Sequence, residues 1–147
     1  MYNLPPMPPK AAYSTPMLHV KDIPRSLRFY ELLGFETIDT EAEGPCVFWA
    51  RMHCEGGAIM FLAEKPGHAA PPSLLLVMYT PELPALRQHL LANGVEVSEI
   101  KYPGYMPSGE INFRDPDGNF LEICHWGKPE QEKWEKHLAE RRAQKPS

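Results

Sequence analysis

The sequence lacks a long apolar run, since no stretch approaches the roughly 20 apolar residues of a membrane-spanning helix. It also lacks a surplus of basic residues: 15 Lys and Arg face 19 Asp and Glu, for a formal net charge of −4. Nucleic-acid binding needs a basic stripe that neutralises phosphates, so we expect neither nucleic acid nor a membrane as partner. Residues 1–10 lack the apolar core of a signal peptide, and we expect a cytoplasmic protein.

Cysteine is scarce as well, with Cys46, Cys54 and Cys124 at wide spacing. An odd number without a close pair does not make a disulfide framework and is typical of a reducing compartment. Cys46, His53 and Cys54 lack the CxxC or HxxxH spacing of zinc sites. We therefore interpret these cysteines as structural thiols.

Proline, in contrast, is abundant, with 17 residues. The cluster Pro5-Pro6-Met7-Pro8-Pro9 predicts an extended, proline-rich N-terminal arm over residues 1–12. A length of 147 residues with 43% hydrophobic residues predicts one compact domain, which we place at residues 13–127. Residues 128–147 form a C-terminal helix and tail in this interpretation.

The first half of the domain alternates between strand and helix patterns. The apolar segment 15–20 predicts a strand, and Asp22 has the character of a helix N-cap, with Pro24 in the first turn. Gly34 is placed to end that helix. Three short segments rich in β-formers follow, at 35–39, 46–52 and 58–62. The order is therefore βαβββ.

The same order returns about 60 residues later. Thr80 takes the N-cap position of a second helix, and Asn93-Gly94 ends it. The predicted strands of this half are 73–79, 95–101, 110–114 and 119–125, with the tight turn Asp115-Pro116-Asp117-Gly118 between the last two. The sequence predicts an α+β fold with two tandem βαβββ modules, at about 13–65 and 72–127. They form a cup-shaped pair of mixed sheets.

A charged helix is predicted at 129–143, with acidic residues early and basic residues late, as the helix dipole favours. Only Trp134 and Leu138 form an apolar seam on it. This narrow seam favours a helix that docks on its own subunit, and the alternative is a helix that clamps a partner subunit.

Two segments carry a resemblance to a known family. The segment from Leu18 to Phe35, with Asp22-Ile23-Pro24-Arg25-Ser26-Leu27-Arg28-Phe29-Tyr30, resembles the opening module of the glyoxalase/bleomycin-resistance/dioxygenase (vicinal oxygen chelate) superfamily. The segment from Phe113 to Ile123 resembles its closing hairpin. The resemblance implies a homodimer with small-molecule pockets at or near the interface, but this fold hosts many chemistries.

Enzymes of this family hold a divalent metal with four side chains, one from the first and last strand of each module. The resemblance places these positions at Thr15, near Phe61, near Leu75 and at Glu122, with Ser73 the polar residue nearest to the third. Only Glu122 is a usual ligand, and one ligand does not compete with water for a divalent ion. We therefore expect no cofactor.

In an alternative interpretation, the protein is an enzyme. His19 shares a strand face with Thr15, so a relocated metal site could use His19 and Glu122. Such a site, with Zn, Ni, Fe or Mn, would support a glyoxalase-like lyase or isomerase, or a dioxygenase. Without a metal, Glu122 and His19 remain candidate acid–base residues. Each residue also has a purely structural interpretation. His19 would be a hydrogen-bonded histidine of a strand, and Glu122 would be part of the turn signature.

Alternation along the strands and the aromatic loop after residue 101 give a largely apolar set of candidate ligand-binding residues. They are Met17, His19, Trp49, Phe61, Ser73, Leu75, Tyr102, Tyr105, Phe120 and Glu122. The two loop tyrosines either cover the pocket or pack on their own sheet. The sequence thus favours a metal-independent protein that binds or sequesters an apolar or aromatic compound, as the antibiotic-resistance branch of the family does.

Overall fold

The computed structural model describes residues 15–63 and 74–144. The predicted N-terminal arm and Ser73 lie outside these residues. The first module contains β1 (Met17–His19), α1 (Ile23–Glu31), β2 (Glu36–Glu43), β3 (Cys46–Cys54) and β4 (Gly57–Leu62). The second module contains β5 (Leu75–Thr80), α2 (Leu83–Ala92), β6 (Glu110–Arg114) and β7 (Phe120–His125), and α3 (Lys128–Ala143) follows.

The strands form two mixed sheets. The first sheet has the order β1-β4-β3-β2, in which β1 is parallel to β4 and the other pairs are antiparallel. The second sheet has the order β5-β7-β6, with β5 parallel to β7 and β6 antiparallel to it. The predicted α+β fold with a pair of mixed sheets and a C-terminal helix is confirmed.

The helix ends follow from local chemistry. Asp22 accepts a 3.1 Å hydrogen bond from the backbone N–H of Arg25, and Gly34 after α1 has a φ of +88°. Both predictions for α1 are confirmed. The predicted N-cap of α2 is wrong by two residues. Thr80 Oγ1 accepts from the N–H of Glu82, so it closes the turn before the helix, and Pro84 takes the first-turn position.

The predicted strand at 95–101 is absent from the second sheet. This segment meets β6 through one isolated bridge, between Lys101 and Glu110, and through a 3.0 Å hydrogen bond from the Ser98 N–H to the Asn112 carbonyl. The hydroxyl of Ser98 accepts from the N–H of Asn112 at 2.9 Å and donates to the carbonyl of Glu99. A side chain thus replaces part of the ladder, since serine hydroxyls compete for backbone groups.

Both sheets contribute their helix-covered faces to one hydrophobic core. Helix α1 joins them, because Tyr30 packs on Phe61 of the first sheet, with ring centroids 5.1 Å apart, and Phe29 packs on Phe113 of the second at 6.2 Å. The opposite faces of the two sheets are not part of this core. We call them the first-sheet face and the second-sheet face.

The register of β1 and β4 corrects one predicted pocket residue. Leu18 pairs with Phe61, so both lie on the helix-covered side, and Phe61 is fully buried. The prediction that Phe61 shares a face with Met17 and His19 is wrong, because alternation within a strand does not specify which set of side chains meets the helix. The open partners of Met17 and His19 are Met60 and Leu62.

The first turn of helix α3 is anchored on its own chain. The carboxylate of Glu130 in its first turn accepts from the N–H of Ser108 at 2.8 Å, from the Ser108 hydroxyl at 2.6 Å and from the N–H of Gly127 at 3.1 Å. Further along, Trp134 packs edge-on against Trp126. Of the helices in residues 15–63 and 74–144, none is both long and apolar enough to cross a membrane.

Candidate functional site

The second-sheet face presents apolar side chains to solvent around a carboxyl group. Strand pairing places Leu75 beside Phe120, Val77 beside Glu122, and Tyr79 beside Cys124. The four apolar or aromatic side chains are exposed, from 45% for Val77 to 56% for Tyr79. Exposed apolar residues that adjoin one another are typical of binding surfaces. Two predicted ligand-binding residues, Leu75 and Phe120, therefore lie near Glu122.

A second carboxyl group lies beside Glu122. In the β6–β7 pair, Asn112 is opposite Glu122 and Glu110 is opposite Cys124. One carboxyl oxygen of each glutamate and the Cys124 sulfur lie within 4.8 Å of one another. Glu110 is only 4% exposed, and its Oε1 accepts a 2.9 Å hydrogen bond from the Tyr105 hydroxyl. Its Oε2 is buried without a hydrogen-bond partner among the described residues.

The environment disfavours negative charge on Glu122, Cys124 and Tyr105. Burial raises the pKa of Glu122, and a hydrogen bond to the Glu110 carboxyl and the charge of that carboxyl raise it further. Burial and the two carboxylates raise the pKa of Cys124 to about 11. The hydrogen bond to Glu110 raises the pKa of Tyr105. At neutral pH, Cys124 is therefore a thiol and Tyr105 a phenol, so the carboxyl oxygens are the groups available to a positive partner.

The remaining predicted residues lie elsewhere. Trp49 pairs with Leu62, as does His19, so Met17, His19 and Trp49 share the first-sheet face. The loop residue Tyr102 is 69% exposed and lies beside Gly109. Of the two loop tyrosines, only Tyr105 touches the carboxyl cluster.

The residues present do not fit the four-ligand metal site that the resemblance implies. Phe61 is buried in the core and Leu75 carries no donor atom, which leaves the Thr15 hydroxyl and Glu122 among the described positions. The cluster of potential ligands found in residues 15–63 and 74–144 contains Glu110, Glu122 and Cys124, and it does not include His19. No reaction step through the family metal follows from this arrangement.

Sequence reasoning missed Glu110, although a signal for it was present; strand alternation does place Cys124 on the face of Phe120 and Glu122. The turn closes with a hydrogen bond from the Asp115 N–H to the Asn119 carbonyl. Counting outward from that pair in an antiparallel hairpin puts Glu110 opposite Cys124 on the face of Glu122. The hairpin register, rather than the composition of either strand, therefore locates the second carboxyl group.

A separate groove of about 710 Å³ lies where the start of β4, the edge of β5 and helix α2 meet. Its apolar lining includes Leu33, Ile59 and Leu86, and His89 contributes a polar group. The groove shares Val77 and Tyr79 with the second-sheet face, but Leu75, Phe120 and Glu122 do not line it.

Comparison with known proteins places this architecture. The sequence profile of the Glyoxalase/Bleomycin resistance protein/Dioxygenase superfamily matches residues 13–123. Among solved structures, SMU.1112c is 26% identical with a TM-score of 0.64, covering 78% of this chain and 98% of its own. The bleomycin resistance determinant of transposon Tn5 is 20% identical with a TM-score of 0.63, with the same two coverages of 78% and 98%.

The fold is also that of the lactoylglutathione lyase from Agrobacterium tumefaciens, which is 19% identical with a TM-score of 0.64. The match covers 82% of this chain and 100% of the lyase. At these identities the last two structures show the fold alone. The profile match, however, covers most of the chain, including both motifs that flank the repeat. The chain belongs to the Glyoxalase/Bleomycin resistance protein/Dioxygenase superfamily.

Proposed function

We propose that this protein binds a small apolar or aromatic molecule on its second-sheet face and that binding does not use the metal of the family enzymes. The observation that carries the proposal is the setting of Glu122. Its carboxyl group lies among exposed apolar side chains, with Val77 directly beside it. Ligand pockets commonly combine apolar walls with a few polar groups that fix orientation.

A second copy of the chain would complete the pocket. The helix-covered faces of both sheets share one core, so the two open faces of a single chain do not enclose a common space. A cup that includes Met17, His19 and Trp49 together with Glu122 therefore needs the first-sheet face of another copy. This arrangement agrees with the homodimer that the family resemblance implies.

Calorimetry tests the binding proposal. The purified protein is titrated with a panel of neutral and charged aromatic compounds that includes a bleomycin-type antibiotic, chosen because a Tn5 determinant shares the fold. We expect Leu75→Lys, which places a charge beside Phe120 on the second-sheet face, to abolish binding. Ile38→Lys is the matched control, since Ile38 is 55% exposed on β2. Equal binding by both variants, or no binding across the panel, would contradict the proposal.

Mixing two variants tests the shared pocket. His19→Ala and Glu122→Gln would each impair both pockets of a homodimer. After subunit exchange, half of the dimers are mixed, and each mixed dimer has one intact pocket, so about one quarter of all pockets recover. If each pocket were built from one chain, mixing would restore none.

A further inference from the structure

The buried oxygen of Glu110 is the starting observation. Glu110 is almost fully buried, and its Oε2 has no hydrogen-bond partner in the described chain. A buried carboxylate oxygen without a partner costs free energy, because water no longer solvates it. The neighbouring carboxyl of Glu122 adds like-charge repulsion. A proton shared between the two carboxyls, or a positive group bound between them, would remove both costs.

The chain itself does not supply that group within the described residues. The ion pairs there involve other acids, with Arg25 on Asp117, Arg51 on Asp39 and Lys128 on Glu132.

Two basic residues lie near the cluster in the chain, and neither forms an ion pair with Glu110 or Glu122. Arg114 stacks over the Phe120 ring at 3.7 Å and donates to the Gly118 carbonyl at 3.1 Å. Lys101 meets Glu110 only through the backbone bridge and is exposed.

We propose that Glu110 and Glu122 form a binding site for an organic ammonium group. The molecule bound on the second-sheet face is then an amine with an apolar or aromatic body. This inference rests on the proposed function and names the chemistry of its ligand. The Tyr105 hydroxyl holds Oε1 of Glu110, which leaves Oε2 for the ammonium. Val77 and Tyr79, beside Glu122 and Cys124, would contact the apolar body.

The spacing of the donor atoms admits an ammonium group as well as a metal ion. Hydrogen bonds of about 2.8 Å from one tetrahedral nitrogen place two acceptors roughly 4.6 Å apart. Metal–ligand bonds of about 2.0–2.3 Å place donors roughly 3.3–3.8 Å apart. One donor atom each of Glu110, Glu122 and Cys124 lies within 4.8 Å of the others, a range that includes both spacings, so the experiment has to distinguish the two ligands.

A charge series with one aromatic body tests the proposal. The probes are 2-naphthylmethylamine, 2-naphthalenemethanol and 2-naphthoate, titrated by calorimetry into chelator-treated protein at neutral pH. We expect the amine to bind about tenfold more tightly than the alcohol, as charge-assisted hydrogen bonds predict, and the carboxylate to bind least. Glu110→Gln should remove the preference for the amine while the alcohol still binds.

The controls separate the possible failures. Glu99→Gln removes an exposed acid outside the cluster and should leave the amine preference unchanged, and Glu122→Gln provides a second test if Glu110→Gln does not fold. Equal binding of amine and alcohol would overturn this inference and leave the proposed function standing. No binding by any probe would overturn both. A metal site would show itself as stoichiometric zinc uptake that displaces the amine and that is lost in Cys124→Ser. This result would overturn the proposed ammonium site.

Discussion

The hydroxyl of Tyr30 donates a 2.8 Å hydrogen bond to Oδ2 of Asp115, which lies 85 residues further along the chain. The other oxygen of Asp115 accepts from the N–H groups of Asp117 and Asn119. This buried contact joins helix α1 of the first module to the turn between β6 and β7. The turn sets the register that brings Glu110 beside Glu122, so the two family motifs are joined physically as well as by their spacing.

Tyr30→Phe should lower the free energy of unfolding by about 1–3 kcal/mol, because Asp115 loses one buried donor. Burial and the negative charge of Asp115 hold the pKa of Tyr30 well above its ordinary value, so no pH dependence from this phenol is expected below pH 10. Urea unfolding measures the change. Tyr102→Phe, at a mostly exposed ring, is the control and should have little effect. Equal stability of the two variants would show that the contact is unimportant.

Phe61 and Leu75 have opposite expected roles. Phe61→Ala should destabilise the protein by about 3–5 kcal/mol, because it leaves a cavity against Tyr30. Leu75→Ala should change stability by less than about 0.5 kcal/mol, since Leu75 is 54% exposed, and it should weaken ligand binding. Thermal unfolding and calorimetry on both variants check this contrast. A stable Phe61→Ala protein with impaired binding would show that Phe61 lines the pocket rather than the core.

Cys124 should resist alkylation. The thiolate is the reactive form, and a pKa of about 11 leaves little thiolate at mildly alkaline pH, in addition to the shielding by burial. We expect iodoacetamide to modify the exposed Cys46 first and Cys124 only after denaturation, as measured by mass spectrometry of peptides. Raising the pH towards 11 should speed the reaction at Cys124. Equal rates in the native protein at mildly alkaline pH would refute this assignment.

Glu130 should contribute stability that depends on pH. Burial opposes the charge, but hydrogen bonds from Ser108 and Gly127 outweigh it and lower the pKa of Glu130. A lowered folded-state pKa means that the contribution is present above the ordinary value of about 4.5 and is lost as the pH falls through the folded-state value. Glu130→Gln should cost roughly 1–3 kcal/mol at neutral pH and little in acid.

Denaturant unfolding across this pH range measures the difference between Glu130→Gln and the parent protein. Glu132→Gln, at an exposed residue of the same helix, is the control and should match the parent. A difference between Glu130→Gln and the parent that stays constant down to low pH would show that the Glu130 charge is not the cause.

The fold could largely be predicted because its signals are local. Asp22, Gly34 and the turn after Arg114 act through backbone groups within four residues, so their effects can be read from neighbouring letters. The strand predicted at 95–101 failed for a non-local reason. Ser98 exchanges two hydrogen bonds with Asn112, donating through its backbone N–H and accepting through its hydroxyl, so the pairing of this segment depends on a residue of another strand.

The site could be predicted only in part for the same reason. Glu122 follows from a motif, but its partner Glu110 comes from a different strand and depends on hairpin register. The face on which Phe61 lies depends on how β4 pairs with β1. The alternation of side chains along a strand does not show which of its two faces meets the helix. The hydrogen bond from Tyr105 to Glu110 depends on a loop conformation that composition does not determine.

We propose that the second-sheet face is the ligand-binding surface. Methyl-resolved NMR during a titration with 2-naphthylmethylamine tests it most directly, because Leu75 lies on that face while Leu33 and Leu86 line the separate groove. We predict that the Leu75 methyl signals shift with added amine and that those of Leu33 and Leu86 do not. Shifts confined to Leu33 and Leu86, with Leu75 unchanged, would contradict it.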